Sequence, residues 1–405
     1  GQCAGLRIGL RRAGLDPKHF SWPPEDEPNR SPYRGLQALL EKDAAVFFGR
    51  DARITAGLDE LRQMRGGDPK RVLTIAAASG AGKSSFLHAG LLSRLSRDAE
   101  NFLILPVMRP GRDALSGAQG LLNALSLNDP PEQDSALIDH LERLRTPVVA
   151  QFRALAEAAN ETYDRPAPTL VLPLDQAEEL FSIDNVSGQA ALDLLIRALN
   201  AFDDLVIVAT IRSDSLGALQ ADARIAGKLK LFNLPALPAS SFREVIEGPA
   251  AIAQPPIEIE PALTDRLISD LGEDDALPLL AFTLERLVAD YGDDHVLELD
   301  EYLNGLGGVS GAINSAVDAA FARALGDPLL PDDRDELDEL ARAAFIPWLV
   351  QLDDAGASPK RRQTPTHQIP NASRPLLQHF VSERLLVSTV DVETRESVLE
   401  VSHEA

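Results

Sequence analysis

The sequence predicts an α/β core built on a parallel sheet, followed by a helical domain and a winged-helix domain. From Arg71 to about Leu234, short apolar runs alternate with helical stretches, which is typical of a sheet with helical crossovers. Residues 240–350 are mostly helical in pattern, and two β-rich runs separated by charged residues follow near the end. We therefore expect three structural regions after an N-terminal linker.

The N-terminal part predicts the end of a preceding module and a linker, over residues 1–30. Its first twenty residues place apolar side chains on one helical face, and "DPKHFSWPPEDEPNRSP" then contains prolines that forbid a regular helix. A helix is expected from about Asp51 to Met64. The sequence lacks an initiator Met and ends at "VSHEA", so we expect a middle piece of a longer protein.

The core domain, residues 31–236, has four apolar runs expected to be strands: "RVLTIAAA", "FLILPVM", "TLVLPLD" and "LVIVATIR". Three of them lack polar alternation, as strands buried on both faces do. Helices are expected near residues 84–96, 114–126, 134–160 and 188–201. The helical domain is predicted over 237–305 and the winged-helix domain over 306–405, its wing being the hairpin of "LVSTVDVETRESVLEVSH".

Composition limits the class of protein. Hydrophobic residues make up 44% of the 405 residues and charged residues 25%, which predicts packed cores rather than disorder. The formal net charge of −23 argues against a nucleic-acid or anionic-membrane partner, since phosphates are met by Lys and Arg. One cysteine, no signal-peptide pattern and no apolar run of membrane-spanning length predict a cytoplasmic protein.

The segment "TIAAASGAGKSSFLHAGL" predicts a phosphate-binding loop between a strand and a helix. It matches G-x-x-x-x-G-K-[ST] except at Ala77, which needs only a backbone conformation that is not restricted to glycine. Lys83 is expected to reach the β- and γ-phosphates and Ser84 to hold Mg²⁺. The core is thus predicted to be a P-loop NTPase, unless "GKSS" is a chance match in a surface loop. The expected nucleotide ligands of this loop are Ser79, Gly80, Ala81, Gly82, Lys83, Ser84 and Ser85.

An acidic centre is predicted at the end of another strand, in "TLVLPLDQAEELF". Asp175 is positioned to hold Mg²⁺ through water. Either Glu178 or Glu179, within the next turn, is expected to orient or deprotonate the attacking water. The alternative is an acid-rich helix N-terminus that favours the helix dipole.

Arg212 ends the apolar run "VIVATIR", next to the expected position of the γ-phosphate. A cation there stabilises transition-state charge or senses the γ-phosphate. The alternative is a salt bridge to a nearby acid such as Asp214.

Together these motifs resemble those of the STAND class of P-loop ATPases, signal-transduction switches related to NACHT and apoptotic ATPases. The likeness runs from about Ser31 to Ala405, and "VFFGRD", "LDQAEELF" and "ATIRSD" are similar to the base-bordering, Walker B and sensor motifs of one bacterial subfamily. By this resemblance Arg50 would border the base and Pro278 of "ALPLL" would contact the nucleotide. His403 of "LEVSHEA" would approach the β-phosphate of ADP; without the resemblance it reads as a surface or packing histidine.

The resemblance implies a latch with slow ATP hydrolysis. ADP would hold the winged helix on the ATPase core, and exchange for ATP would favour an open, self-associating form. A fused effector, often a TIR domain in this subfamily, and a C-terminal sensor would lie outside this sequence. Bacterial immune or antiphage signalling is the expected role.

Three alternatives remain at this level. One is a winged-helix transcription regulator gated by an ATPase, which the acidic charge disfavours. The second is a metabolic ATPase or kinase, for which no acceptor-substrate site is recognised. The third is a nucleotide-locked scaffold that never hydrolyses, which Ala77 and the ambiguous glutamate pair leave open.

Overall fold

The computed structural model describes residues 20–35, 37–78, 80–111, 113–159, 161–181, 185–271, 276–351, 360–361, 364–383, 385–390 and 397–401. These residues form two compact units. The first takes in the described residues of 20–32, 37–181 and 185–256, and the second takes in 33–35 and those from 257 onward.

The first unit is built on a parallel sheet of five strands among the described residues, in the order β2-β3-β4-β1-β5. The strands are β1 Val72–Ala77, β2 Phe102–Ile104, β3 Thr169–Leu174, β4 Leu205–Arg212 and β5 Leu229–Asn233. The central strands β1, β3 and β4 are buried almost throughout, which explains their uninterrupted apolar sequences. All four predicted strands are confirmed.

Helices cover both faces of this sheet. The helices described in the first unit are α1 Asp51–Arg65; α2, which is α-helical at Lys83–Ser85, π-helical at Phe86–Leu92 and α-helical again at Ser93–Leu95; α3 Leu121–Ala124; α4 Asp134–Ala158; α5 Gly188–Ala201; α6 Leu216–Ala221; α7 Ala223–Ala226; and α8 Phe242–Ile252. Short 3₁₀ helices lie at Glu41–Val46, Ala177–Phe181 and Ala239–Ser241. The helix predicted over 134–160 and the one over 188–201 are therefore confirmed.

Alternation along β1 divides the core into two apolar layers. Leu73 and Ile75 pack on one face with side chains of α1 and α2, including Phe86. Val72 and Ala76 point to the other face, where α3, α4 and α5 supply the packing. The phosphate-loop segment thus connects a central strand to a helix that is anchored in the core.

One prediction for this unit needs correction, and one strand was missed. The helix expected over 114–126 is reduced to α3, because Gly117 and Gly120 lie in turns whose backbone approaches Asp113 and Leu115 too closely for a side chain. Strand β5 was not predicted, since Lys230 and Asn233 interrupt its apolar pattern. It lies at the sheet edge and pairs only with β1 among the described strands.

The second unit contains helices and short sheets. Its helices are α9 Pro261–Asp270, α10 Ala276–Tyr291, α11 Gly308–Ala324, α12 Arg334–Ala344 and α13 Arg374–Ser382, with 3₁₀ or π turns at Gly292–Asp294, Glu301–Gly305, Phe345–Leu349, Thr366–Gln368 and Asn371–Ser373. Its strands are β6 Glu258–Ile259, β7 Val296–Leu297, β8 Val350–Gln351, β9 Lys360–Arg361, β10 Thr364–Pro365, β11 Leu386–Val390 and β12 Ser397–Val401. No helix in the described part of the chain is long and apolar enough to cross a membrane.

The C-terminal part of this unit has one apolar core. Phe321 of α11, Leu337 of α12 and Phe380 of α13 pack together with Leu399 of β12. Strands β11 and β12 pair antiparallel, as predicted for the hairpin, and β10 extends the sheet on the β12 side. The further division of the chain into domains ending at residues 236 and 305 stays a prediction.

Candidate functional site

The phosphate-loop segment leaves β1 at the carboxyl edge of the sheet. Ala77 is the last residue of β1 and pairs with Arg212, so its extended backbone makes no demand for glycine. Gly80 and Gly82 have φ angles of +72° and +82°, a region that favours glycine. Gly82 immediately precedes α2, whose first N–H groups have no intrahelical acceptor. The segment has the strand, the loop and the helix N-terminus that anion binding requires.

Lys83 folds back over this loop. Its Nζ donates to the carbonyl oxygens of Ala77 at 3.2 Å and Ala78 at 2.8 Å. Burial lowers the pKa of Lys83, and the nearby Glu178 carboxylate opposes that shift. A half-buried ammonium held by neutral carbonyls has charge available for an anion.

Asp175 lies directly after β3, is fully buried, and joins the loop to the neighbouring strand. The hydroxyl of Ser84 donates to Asp175 Oδ1 at 2.9 Å, and that of Thr210 donates to the same oxygen at 2.6 Å. The register pairs Leu174 of β3 with Ala209 of β4, which brings Asp175 beside Thr210. Ser84 and Asp175, predicted from two distant motifs, therefore meet.

Glu178 and Glu179 occupy different environments, although they are adjacent in sequence. Glu178 Oε2 accepts from the backbone N–H of Arg212 at 3.3 Å, and its carboxylate interacts electrostatically with Lys83. Glu179 Oε2 accepts from the N–H of Gly111 at 2.8 Å, near Arg109. Burial raises the pKa of both carboxyls. Glu178 thus belongs to the loop side of the site, whereas Glu179 holds the segment after β2.

Arg212 ends β4 at the edge where the phosphate loop begins. Its guanidinium bonds to both carboxylate oxygens of Asp214, the shortest contact being Nη2 to Oδ2 at 2.7 Å. The salt bridge considered from sequence is therefore present. Its backbone pairs with that of Ala77, where β1 ends and the phosphate-loop segment begins.

The Arg50 side chain joins two backbone segments that follow neighbouring strands of the sheet. It is buried, and its Nη1 and Nη2 donate to the carbonyl oxygens of Pro235 at 2.7 Å and Ala81 at 3.0 Å. Burial lowers the pKa of its guanidinium. Arg50 therefore ties the phosphate loop to the segment that follows β5.

Ser85 faces the N-terminal segment, since its Oγ accepts from the backbone N–H of Leu39 at 3.0 Å. Ser79 and His403 lie outside the described residues. Pro278 lies in the first turn of α10, in the second unit.

Three side chains at the site were not among the predicted ligands. Arg109 Nη2 donates to Asp175 Oδ2 at 2.8 Å, Thr210 bonds to the other carboxylate oxygen, and His88 Nε2 lies 4.0 Å from Oδ2. Thr210 carries a sequence signal, because it stands two residues before Arg212 at the end of an apolar run. Arg109 also follows an apolar run, but the direction in which its side chain points depends on the strand register.

Comparison with known protein families agrees with this geometry. Residues 32–405 match the model of the family described as Novel STAND NTPase 1, which is most of the chain. The chain belongs to this family. It is accordingly a STAND-class P-loop NTPase, and nucleotide binding is the activity that this class shares.

Solved structures similar to this STAND NTPase include an ORC1 protein of Aeropyrum pernix in complex with DNA, with 15% identity over 93% of this chain and 95% of that one, and a TM-score of 0.48. An ORC2 protein of the same organism, solved as ADPNP–ADP complexes, has 13% identity, coverages of 87% and 89%, and a TM-score of 0.42. A Walker-type ATPase of Pyrococcus abyssi has 12% identity, coverages of 91% and 96%, and a TM-score of 0.38. With TM-scores this low, these likenesses decide nothing about function. No curated protein matches the chain.

The donor set fits a magnesium nucleotide. Hydroxyl and carboxylate oxygens are the ligands that Mg²⁺ prefers, and those of Ser84 and Asp175 lie 2.9 Å apart. The glycine conformations at positions 80 and 82 and the half-buried Lys83 are suited to the anionic part of such a ligand.

Replacing Arg50 tests its place in the loop. Arg50→Lys replaces a guanidinium whose two terminal nitrogens each donate to a different carbonyl with a single, shorter-reaching ammonium nitrogen. We therefore expect ADP affinity to fall about tenfold, and the free energy of unfolding to fall by about 1–3 kcal/mol as a hydrogen bond from a buried cation is lost. Titration calorimetry and urea unfolding measure these quantities. The exposed Arg53→Lys is the matched control. Unchanged ADP affinity in Arg50→Lys would contradict the loop-holding role.

Proposed function

We propose that this STAND NTPase is an ATP/ADP-dependent signalling switch that hydrolyses ATP slowly. The observation that carries the proposal is the hydrogen bond from Ser84 to Asp175, beside the half-buried ammonium of Lys83. It brings the phosphate loop and the acidic centre together at the carboxyl edge of one sheet, where both parts of an NTPase site are needed.

In this proposal the backbone of residues 79–85 and the ammonium of Lys83 bind the β- and γ-phosphates. Ser84 and Asp175 hold Mg²⁺, which when bound neutralises phosphate charge. Arg212 has its backbone at the γ-phosphate side and exchanges its bond to Asp214 for the phosphate or for transition-state charge. Arg50 positions the loop and borders the base.

We assign the water-orienting role to Glu178 rather than Glu179. Glu178 interacts with Lys83 and with the end of β4, whereas the hydrogen bond from Gly111 commits Glu179 to the segment after β2. A partly desolvated carboxylate with a raised pKa is a stronger base than an exposed one.

The second unit supplies the latch in this proposal. Pro278 and His403 contact the nucleotide, the latter through the β-phosphate of ADP. The helices α11 to α13 and the β10-β12-β11 sheet are the winged-helix domain. Exchange of ADP for ATP removes the His403 contact and favours an open form.

The open form self-associates and brings together a fused effector, such as a TIR domain, in bacterial antiphage defence within the cytoplasm. A sensor beyond the helical and winged-helix regions controls the exchange. The acidic net charge of −23 supports protein partners rather than nucleic acid.

The test compares the molar mass of the protein in solution with ADP bound and with an ATP analogue bound. The purified chain is freed of bound nucleotide, whose identity is read by ion-exchange chromatography. It is then loaded with Mg²⁺ and either ADP or a non-hydrolysable ATP analogue and measured by light scattering after size exclusion. We expect copurified ADP, a monomer with ADP and a larger species with the analogue. Equal masses would contradict the switch, and absence of binding to both nucleotides would contradict the site.

A further inference from the structure

The buried carboxylate of Asp175 already has a cationic partner. Oδ1 accepts the hydroxyls of Ser84 and Thr210, while Oδ2 accepts Nη2 of Arg109 at 2.8 Å. A fully buried carboxylate is stable only when charge and hydrogen bonds compensate it, and Arg109 supplies the charge.

The backbone around Arg109 fixes this contact. Met108 bridges to Leu174 and accepts the N–H of Asp175 at 2.9 Å, so Arg109 follows Met108 as Asp175 follows Leu174. The N–H of Arg109 donates to the carbonyl of Gln119 at 2.9 Å. The guanidinium is therefore directed at Asp175 by the sheet rather than by a free loop.

The Arg109 side chain is also able to move away from Asp175. It is 42% exposed, whereas Asp175 is 0% exposed. A guanidinium with this much solvent contact loses little on moving into water, in contrast to a buried one such as Arg50.

We propose that Arg109 competes with Mg²⁺ for the carboxylate of Asp175 and thereby sets a low affinity of the nucleotide site for the metal. The inference rests on the proposed nucleotide site. A divalent cation near Asp175 either displaces Arg109 or experiences its repulsion, and both weaken metal binding. Arg109 is thus a positioning residue that acts through Asp175.

The test compares Arg109→Gln and Arg109→Lys with the wild type. Arg197→Gln is the matched control, because Arg197 pairs with Asp134 through a surface contact on α5. Affinity for a fluorescent ADP analogue is measured first in EDTA and then during a Mg²⁺ titration, and Mn²⁺ bound beside ADP is measured by electron paramagnetic resonance.

We expect Arg109→Gln to lower the half-saturating Mg²⁺ concentration about tenfold, and Arg109→Lys and Arg197→Gln to stay near the wild type. Equal or weaker metal binding in Arg109→Gln, with ADP still bound in EDTA, would overturn only this inference and leave Arg109 a structural support of Asp175. A wild type that binds ADP neither in EDTA nor in Mg²⁺ would overturn the proposed nucleotide site, and this inference with it.

Discussion

Replacement of Lys83 by alanine is expected to remove stabilisation by ADP while leaving the unliganded chain as stable as the wild type. In the free chain, the Lys83 ammonium contacts the carbonyls of Ala77 and Ala78, and burial lowers its pKa. The folded state therefore gains little from this cation. Charge-assisted bonds to phosphate are worth about 1.5–3 kcal/mol, so ADP affinity should fall about 100-fold.

Thermal unfolding with and without ADP distinguishes the two effects. At an ADP concentration 100 times the wild-type Kd, binding adds about 2.7 kcal/mol to the free energy of unfolding, and Lys83→Ala should lose most of it. The exposed Lys70→Ala is the control, since it removes the same charge from the same unit. An equal ADP-induced shift in Lys83→Ala would mean that ADP binds elsewhere.

The central sheet and half of the site were predictable because their signals are local. Strands buried on both faces read as apolar runs, and the residue after each run lies at the carboxyl edge of a parallel sheet. Asp175 and Arg212 could therefore be assigned to the edge that carries the phosphate loop. Ser84 and Asp175 meet there, as the two motifs predicted.

The rest of the site could not be predicted because it depends on strand register. Ile104 pairs with Val171, but Met108 bridges to Leu174, so one extra residue lies on the β2 side between these pairs. Such a shift reverses the direction of every later side chain, and sequence periodicity does not reveal it. The ion pair between Arg109 and Asp175 could not be predicted for this reason.

Arg50 shows a second limit. Its family motif predicts a residue that borders the base, and its observed partners are the backbone carbonyls of Ala81 and Pro235. Backbone acceptors are present at every position and leave no pattern in the sequence. The sequence could not decide between Glu178 and Glu179 for the same reason. The two carboxylates differ in which backbone N–H group they accept, that of Arg212 for Glu178 and that of Gly111 for Glu179.

The assignment of Glu178 as the water-orienting residue predicts a large effect on ATP hydrolysis. Glu178→Gln is expected to slow single-turnover ATP hydrolysis by about 10²–10⁴-fold with ADP affinity nearly unchanged, because the amide cannot accept a proton from water. Glu179→Gln is the matched control. Its amide oxygen still accepts the Gly111 N–H, so hydrolysis should change less than about tenfold. Radiolabelled ATP mixed with excess protein gives both rates.

The pH profile adds a readout that a structural role for Glu178 would not give. Burial raises the pKa of Glu178 above its ordinary value of 4.5, and only the ionised carboxylate can accept a proton. The hydrolysis rate of the wild type should therefore rise with pH through an apparent pKa above 4.5 and then level off. Glu178→Gln should lose this rise and Glu179→Gln should keep it. If Glu179→Gln loses both rate and rise while Glu178→Gln keeps them, the roles of the two carboxylates are reversed.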